Sequence, residues 1–220
     1  MFPNYQQLMD DHILAFVGCM RSGKTSALIH VATMYSLQHK FSDRPGSKLI
    51  FFRPKIDIRP QVQKGRGANM IVSRNGTEFT GSSLSTPEEL YAFGKDYDVI
   101  ACDELNLLWD EADKYMDVLM RLFQEGKKIV ISALDFTFDN RPFPAYERIT
   151  RTPEVYIVKF AAVCTMCGRT ATRTARTTDS KETIIVGADE MYEPRCWRCH
   201  GRKKTPANPA TIKIIAQNNV

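Results

Sequence analysis

An α/β fold, with helices flanking a mostly parallel β-sheet and a small metal-binding module behind it, is predicted by three observations in the 220-residue sequence. Gly18-Cys19-Met20-Arg21-Ser22-Gly23-Lys24-Thr25 fits G-x-x-x-x-G-K-[ST] and stands between an apolar run and a helix-compatible stretch. Runs at Ile13 to Gly18, Lys48 to Phe52, Tyr97 to Cys102 and Lys128 to Ala133 are dense in β-branched and aromatic residues. Helix-compatible segments separate several of them, the pattern of a parallel sheet. Cys164/Cys167 and Cys196/Cys199 form two C-x-x-C pairs with 28 residues between them. The order of these features predicts a phosphate-loop (RecA-like) domain at residues 1–150, a zinc-ribbon module at 151–205 and a tail at 206–220.

The first strand feeds the glycine loop. Its backbone N–H groups can curl around phosphate oxygens, which makes Gly18, Met20, Arg21, Ser22, Gly23, Lys24, Thr25 and Ser26 the candidate phosphate site. Lys24 can reach the β- and γ-phosphates, and the Thr25 hydroxyl can ligate Mg²⁺. Beyond it, Ala27, Leu28, Val31, Ala32, Met34 and Tyr35 recur at helical spacing, so the loop opens a helix whose N-terminus faces the phosphates. The stretch from Gly65 to Gly81 is glycine- and asparagine-rich and is expected to be loops around a short strand. Thr86-Pro87-Glu88-Glu89 carries an N-cap, a first-turn proline and a capping-box glutamate for a helix to about Phe93. Another helix is expected from about Asp110 to Glu125, with Gly126 as its C′ residue. From Thr150 helical periodicity fades and threonine and arginine rise, which sets the boundary near 150.

The excess of Lys and Arg over Asp and Glu gives a formal charge of +5, as suited to a polyanionic small molecule as to nucleic acid. The N-terminus carries Asp10 and Asp11 instead of a basic leader, and the apolar run to Met20 is far short of a membrane span. A soluble cytoplasmic protein is expected, with no membrane partner. In such a compartment paired C-x-x-C cysteines are metal ligands and not disulfides. Four thiolates suffice for one closed tetrahedral structural Zn²⁺, with adjacent His200 as an alternative ligand. Cys19 and Cys102 are expected to be small buried residues.

Phosphate loops need a second carboxylate site at a strand end. Asp103 can hold Mg²⁺ through water, and neighbouring Glu104 is placed to take a proton from the attacking nucleophile. Water as nucleophile would make an NTPase, and a bound hydroxyl a kinase. The guanine-reading N-K-x-D pattern is absent. Arg195, Arg198, Arg202, Lys203 and Lys204 form a basic run near Trp197, so a nucleic-acid-linked ATPase is an alternative; a solvated charged face is the commoner explanation.

Phosphate loop, Asp-Glu strand end and four-cysteine module, in this order, resemble the type II, zinc-containing thymidine kinases. The resemblance runs from about Ile13 to Lys203. The family's G-x-M-x-S-G-K-[ST] matches Gly18 to Thr25, Met20 and Ser22 included. Its basic and aspartate segment resembles Arg53-Pro54-Lys55-Ile56-Asp57-Ile58-Arg59, and its L-D-x-T-F-x-x-x-P-F resembles Leu134 to Phe143. Around the cysteines, the stretches to Arg176 and from Val186 to Cys196 resemble the family's lasso, a zinc-anchored loop that closes over the nucleoside.

The resemblance implies ATP-dependent phosphorylation of the thymidine 5′-hydroxyl, a deoxynucleoside salvage step. It implies Glu104 as base, Arg59 and Lys24 as stabilisers of the transferring phosphoryl group, and Thr25, Asp57 and Asp103 around Mg²⁺. Met20, Leu107, Leu134, Phe138, Thr174 and Tyr192 would line the base pocket, with backbone groups of Val186 and Gly187 on the thymine edge. A homotetramer and feedback by dTTP are further implications, and nucleic acid is not an expected partner. Four positions depart from the family pattern. Asn106 and Leu107 stand where D-E-[AG]-Q-F has glutamine and phenylalanine, Phe136 replaces a glycine, and Arg74 follows Ser73 where histidine is common. A divergent viral or phage member, of altered base selectivity or lapsed activity, would show such changes.

Overall fold

The structure, a computed structural model, describes residues 5–41, 47–55, 70–72, 78–178 and 191–202. In chain order it comprises α1 (Tyr5–Asp11), β1 (Ile13–Gly18), α2 (Lys24–Phe41), β2 (Leu49–Pro54), β3 (Met70–Val72) and β4 (Glu78–Leu84). These are followed by α3 (Pro87–Gly94), β5 (Val99–Cys102), α4 (Ala112–Gln124), β6 (Lys128–Ala133), α5 (Pro144–Thr150) and β7 (Val155–Phe160). The seven-stranded sheet has the order β3-β4-β2-β5-β6-β1-β7. Six strands are parallel and the edge strand β3 runs antiparallel to β4.

Strand alternation builds a core on each face of this sheet. Ile13, Ala15 and Val17 pack on one face with Ile100, Ile129 and Ile131, beneath Tyr115, Met116, Leu119 and Leu122 of α4. The intervening Leu14 and Phe16 pack on the other face with Phe51, Val99 and Val130, beneath Leu28, Val31, Ala32 and Tyr35 of α2. All six residues of β1 are buried, as expected of a central parallel strand covered by helices on both sides.

The predicted capping box of α3 is present: Thr86 Oγ1 accepts from Glu89 N at 3.2 Å, and Glu89 Oε2 accepts from Thr86 N at 3.3 Å. The helix expected from Asp110 begins at Ala112, after a 3-10 turn at Trp109–Glu111, and Gly126 beyond its end has φ of 87°. One expectation is refined and one changes. The stretch expected to be loops around a short strand holds β3 and the start of a second strand, β4, which pairs with β2 from Gly81 to Leu84. The sheet also runs past residue 150, since β7 pairs along the whole length of β1.

Two small antiparallel ribbons follow, β8 (Ala162–Val163) with β9 (Thr170–Ala171) and β10 (Arg173–Arg176) with β11 (Tyr192–Arg195). Among the described residues no helix is long and apolar enough to cross a membrane.

Candidate active site

The interposition of β6 between β1 and β5 sets the site's geometry. The glycine loop leaves β1 and the Asp103-Glu104 pair leaves β5, so both emerge at the same carboxyl edge of the sheet with one strand's width between them. Gly18 has φ of 151°, and a Cβ there would overlap the carbonyl oxygen of Phe160 on β7 and lie 3.0 Å from its carbonyl carbon. Only glycine lets the loop turn so close to a neighbouring backbone. Gly23 (φ 90°) and Arg21 (φ 58°) complete the turn in left-handed conformations.

Lys24 is buried, and its Nζ donates to the Cys19 carbonyl at 2.8 Å and to Ser22 Oγ at 3.4 Å, bridging the loop. Burial pushes the Lys24 pKa below the usual lysine value, opposed by the nearby charges of Glu104, Asp103 and Asp135.

Thr25 Oγ1 donates to Asp103 Oδ1 at 3.1 Å, and Ser132 Oγ of β6 donates to the same oxygen. Asp103 is 2% exposed and its Oδ2 has no hydrogen-bond partner among the described residues. A buried carboxylate oxygen left open beside a loop threonine fits a hard cation, for which oxygen ligands are preferred. Glu104 is held in the left-handed region, φ 56° and ψ 40°, at the start of a 3-10 turn, Leu105–Leu107. That costs a non-glycine residue about 1 to 2 kcal/mol.

Beside this edge, Asn106 is buried and its Oδ1 accepts from the Leu134 backbone N–H at 2.8 Å, tying the 3-10 turn to the end of β6. Leu107 and Leu134 are half-buried. Phe136 packs edge-on against Tyr146 at 5.4 Å with the Lys159 ammonium 5.3 Å from its ring, so its bulk is absorbed by α5 and β7. Lys159 also pairs with buried Asp135 at 3.3 Å.

The four-cysteine module reaches the phosphate loop directly. Met20 N donates to Thr174 Oγ1 at 3.1 Å, and the Cys19 thiol donates to the Ala171 carbonyl at 3.3 Å. On the other side of Thr174, its carbonyl lies 3.1 Å from His200 Nε2. His200 therefore serves as a strut between the second knuckle and the loop, not as a metal ligand, a correction to the alternative weighed on sequence.

The Sγ atoms of Cys164, Cys167, Cys196 and Cys199 all lie within 4.8 Å of one another, with Cys167 and Cys196 at 3.6 Å. A tetrahedron with zinc–sulfur bonds of about 2.3 Å has edges of about 3.8 Å, so the donor set fits one closed zinc site. Burial opposes charge on Cys164, but the backbone N–H groups of Cys196, Met166 and Cys167 outweigh it and bring the thiol down to about 6. The basic run beside this site is partly internal. Arg195 is 4% exposed, pairs with Glu193, and donates to the carbonyls of Cys199 at 3.1 Å and Arg202 at 3.2 Å.

Phe138, Ala175 and Arg176 line a cavity of about 340 Å³ together with Asp139, Thr178, His200 and Gly201. Tyr192 stands opposite Arg176 in the β10–β11 register. Of the site residues predicted from sequence, the described fold thus gathers the loop from Gly18 to Ser26 with Asp103 and Glu104 at one edge, and Met20 with Thr174 at its border. Asp57, Arg59, Val186 and Gly187 lie outside the described residues. Ser132 was missed, although a lone serine closing the apolar run Ile129-Val130-Ile131 was a signal for it.

A glycine loop facing a strand-end carboxylate pair across one strand defines a nucleotide-binding protein of the phosphate-loop class. The sequence model of the family described as thymidine kinase matches residues 11–200. A thymidine kinase of Roseiflexus sp. (strain RS-1) is 33% identical over 201 residues, 88% of this chain and 97% of its own length. One of Roseiflexus castenholzii (strain DSM 13941 / HLO8) is 33% identical over 190 residues, covering 83% and 91%. One of Chloroflexus aurantiacus (strain ATCC 29366 / DSM 635 / J-10-fl) is 29% identical over 189 residues, with the same coverage of 83% and 91%. The chain belongs to the thymidine kinase family, in its zinc-containing type II branch.

Proposed function

We propose that this protein transfers the γ-phosphoryl group of ATP to the 5′-hydroxyl of thymidine. Family membership over nearly the whole chain carries the reading. The Thr25–Asp103 pair supports it, because one carboxylate oxygen is engaged and the other open.

In this reading Glu104 accepts the 5′-hydroxyl proton, and Lys24 and Arg59 balance the charge of the transferring group. Thr25, Asp57 and Asp103 hold Mg²⁺, which would neutralise phosphate charge when bound. Met20, Leu107, Leu134, Phe138, Thr174 and Tyr192 surround the base, with Val186 and Gly187 on its edge. Asn106 Oδ1 is held by the Leu134 amide, while its Nδ2 has no hydrogen-bond partner among the described residues. We further propose a cytoplasmic homotetramer subject to feedback by dTTP, and a boundary between the two units after Phe160, where the sheet ends.

The nucleic-acid reading loses ground because Arg195 is committed to Glu193 inside the module. The decisive experiment incubates the purified protein with labelled ATP, Mg²⁺ and a panel of nucleosides. Labelled thymidine monophosphate is expected; its absence, with ATP hydrolysis stimulated by DNA instead, would overturn the assignment.

A further inference from the structure

The cavity beside the phosphate loop holds an arginine in an unexpected position. Ala175, which lines it, follows Thr174, whose hydroxyl accepts the loop's Met20 amide, so the cavity begins one residue from the phosphate site. At about 340 Å³ it is within the range of small-ligand pockets. Its aromatic wall is Phe138, and the guanidinium carbon of Arg176 lies 3.7 Å from the centre of that ring. This is the separation of a flat group stacked on an aromatic face. The same guanidinium donates through Nη2 to Tyr192 Oη at 2.6 Å and lies 5.2 Å from that ring as well. Arg176 and Tyr192 are directly opposed across β10 and β11, so the strand pairing itself presents one to the other.

We propose that Arg176 is an affinity-setting gate, its guanidinium occupying the face of Phe138 on which the pyrimidine ring of the substrate stacks. The inference rests on the nucleoside kinase reading and adds to it. A planar, delocalised cation and a pyrimidine ring compete for one aromatic face, and both cannot lie on it together. Nucleoside entry therefore requires Arg176 to leave Phe138, and the cavity that Arg176 itself lines gives the side chain a place to go, the Asp139 carboxylate on its wall being already held by Thr137 and Arg141. A binding-competent state populated only in part lowers apparent affinity by that fraction.

The test compares the full-length wild-type protein with R176A and R176Q, in thymidine titrations followed by calorimetry and in steady-state kinetics. Zinc content confirms that each variant folds. Opening the gate is expected to lower the KM and the dissociation constant for thymidine about three- to tenfold in R176A, with kcat little changed. R176Q retains an amide to meet Tyr192 but no cation over Phe138, and is expected to show a smaller fall. A KM that is unchanged or raised in both variants, with wild-type product formation intact, overturns the gate alone. Absence of thymidine monophosphate from all three proteins overturns the kinase reading and the gate with it.

Discussion

The hydroxyl of Thr25, on the first turn of α2, donates to Asp103 Oδ1 at 3.1 Å, joining two elements 78 residues apart in the chain. Ser132 of the intervening strand donates to the same oxygen, so the rotamer of Asp103 is set by two hydroxyls and its second oxygen is aimed by default. Ser132→Ala removes one of these constraints without touching a phosphate. Hydrogen bonds to a charged group are worth about 1.5 to 3 kcal/mol, so the affinity for Mg²⁺ is expected to fall at least about tenfold. A Mg²⁺ titration checks it: the concentration needed for half-maximal rate should rise while KM for thymidine holds.

Glu104 is the only carboxylate of the pair on a left-handed backbone. Glu104→Gln preserves size and backbone while removing the proton acceptor. General-base catalysis contributes about 10²- to 10⁴-fold, and a loss of that order is expected in single-turnover assays. ATP binding, followed by calorimetry, should persist.

At Gly18 the obstacle to a side chain is backbone, which cannot step aside. Gly18→Ala would drive a methyl into the Phe160 carbonyl and also strain φ at 151°. Destabilisation of about 3 kcal/mol is expected from overpacking and strain together. Denaturant unfolding should show a lower midpoint, and the neighbouring phosphate site should lose ATP affinity.

The zinc module should respond to acid. Cys164 has a folded-state pKa lowered from 9.0 to about 6, so its ionised form stabilises the fold. For a group with a depressed pKa the contribution is complete above the unfolded value and is lost as pH falls through the folded one. Zinc release, read with a chromophoric chelator, is therefore expected to begin as pH drops towards about 6, because protons and metal compete for the same thiolates. Activity should fall with it, since Thr174 and Ala171 hold the phosphate loop from this module.

Local chemistry accounts for what could be seen in the sequence. The loop glycines, the Thr86–Glu89 capping box, the strand runs and the C-x-x-C spacing each act over a few residues, and all stand where they were expected. Elements that lacked such signals were missed. α1 and α5 are short, and β7 exposes Tyr156 and Ile157, so it reads as a change of character when it is an edge strand of the sheet. Arg195 looked like surface charge because a buried Arg–Glu pair has no periodicity that marks it as buried.

By itself, the amino-acid sequence determined the fold class, the phosphate loop, the Asp103-Glu104 pair and the four thiolates, because each rests on residue types at fixed short spacings. Only the tertiary structure decided which of them touch. The strand order set Ser132 between the loop and Asp103, the β10–β11 register brought Tyr192 to Arg176, and the module's packing placed Thr174 on Met20 and Arg176 on Phe138. Contacts between residues far apart in the chain depend on how whole faces bury, and no local pattern encodes them.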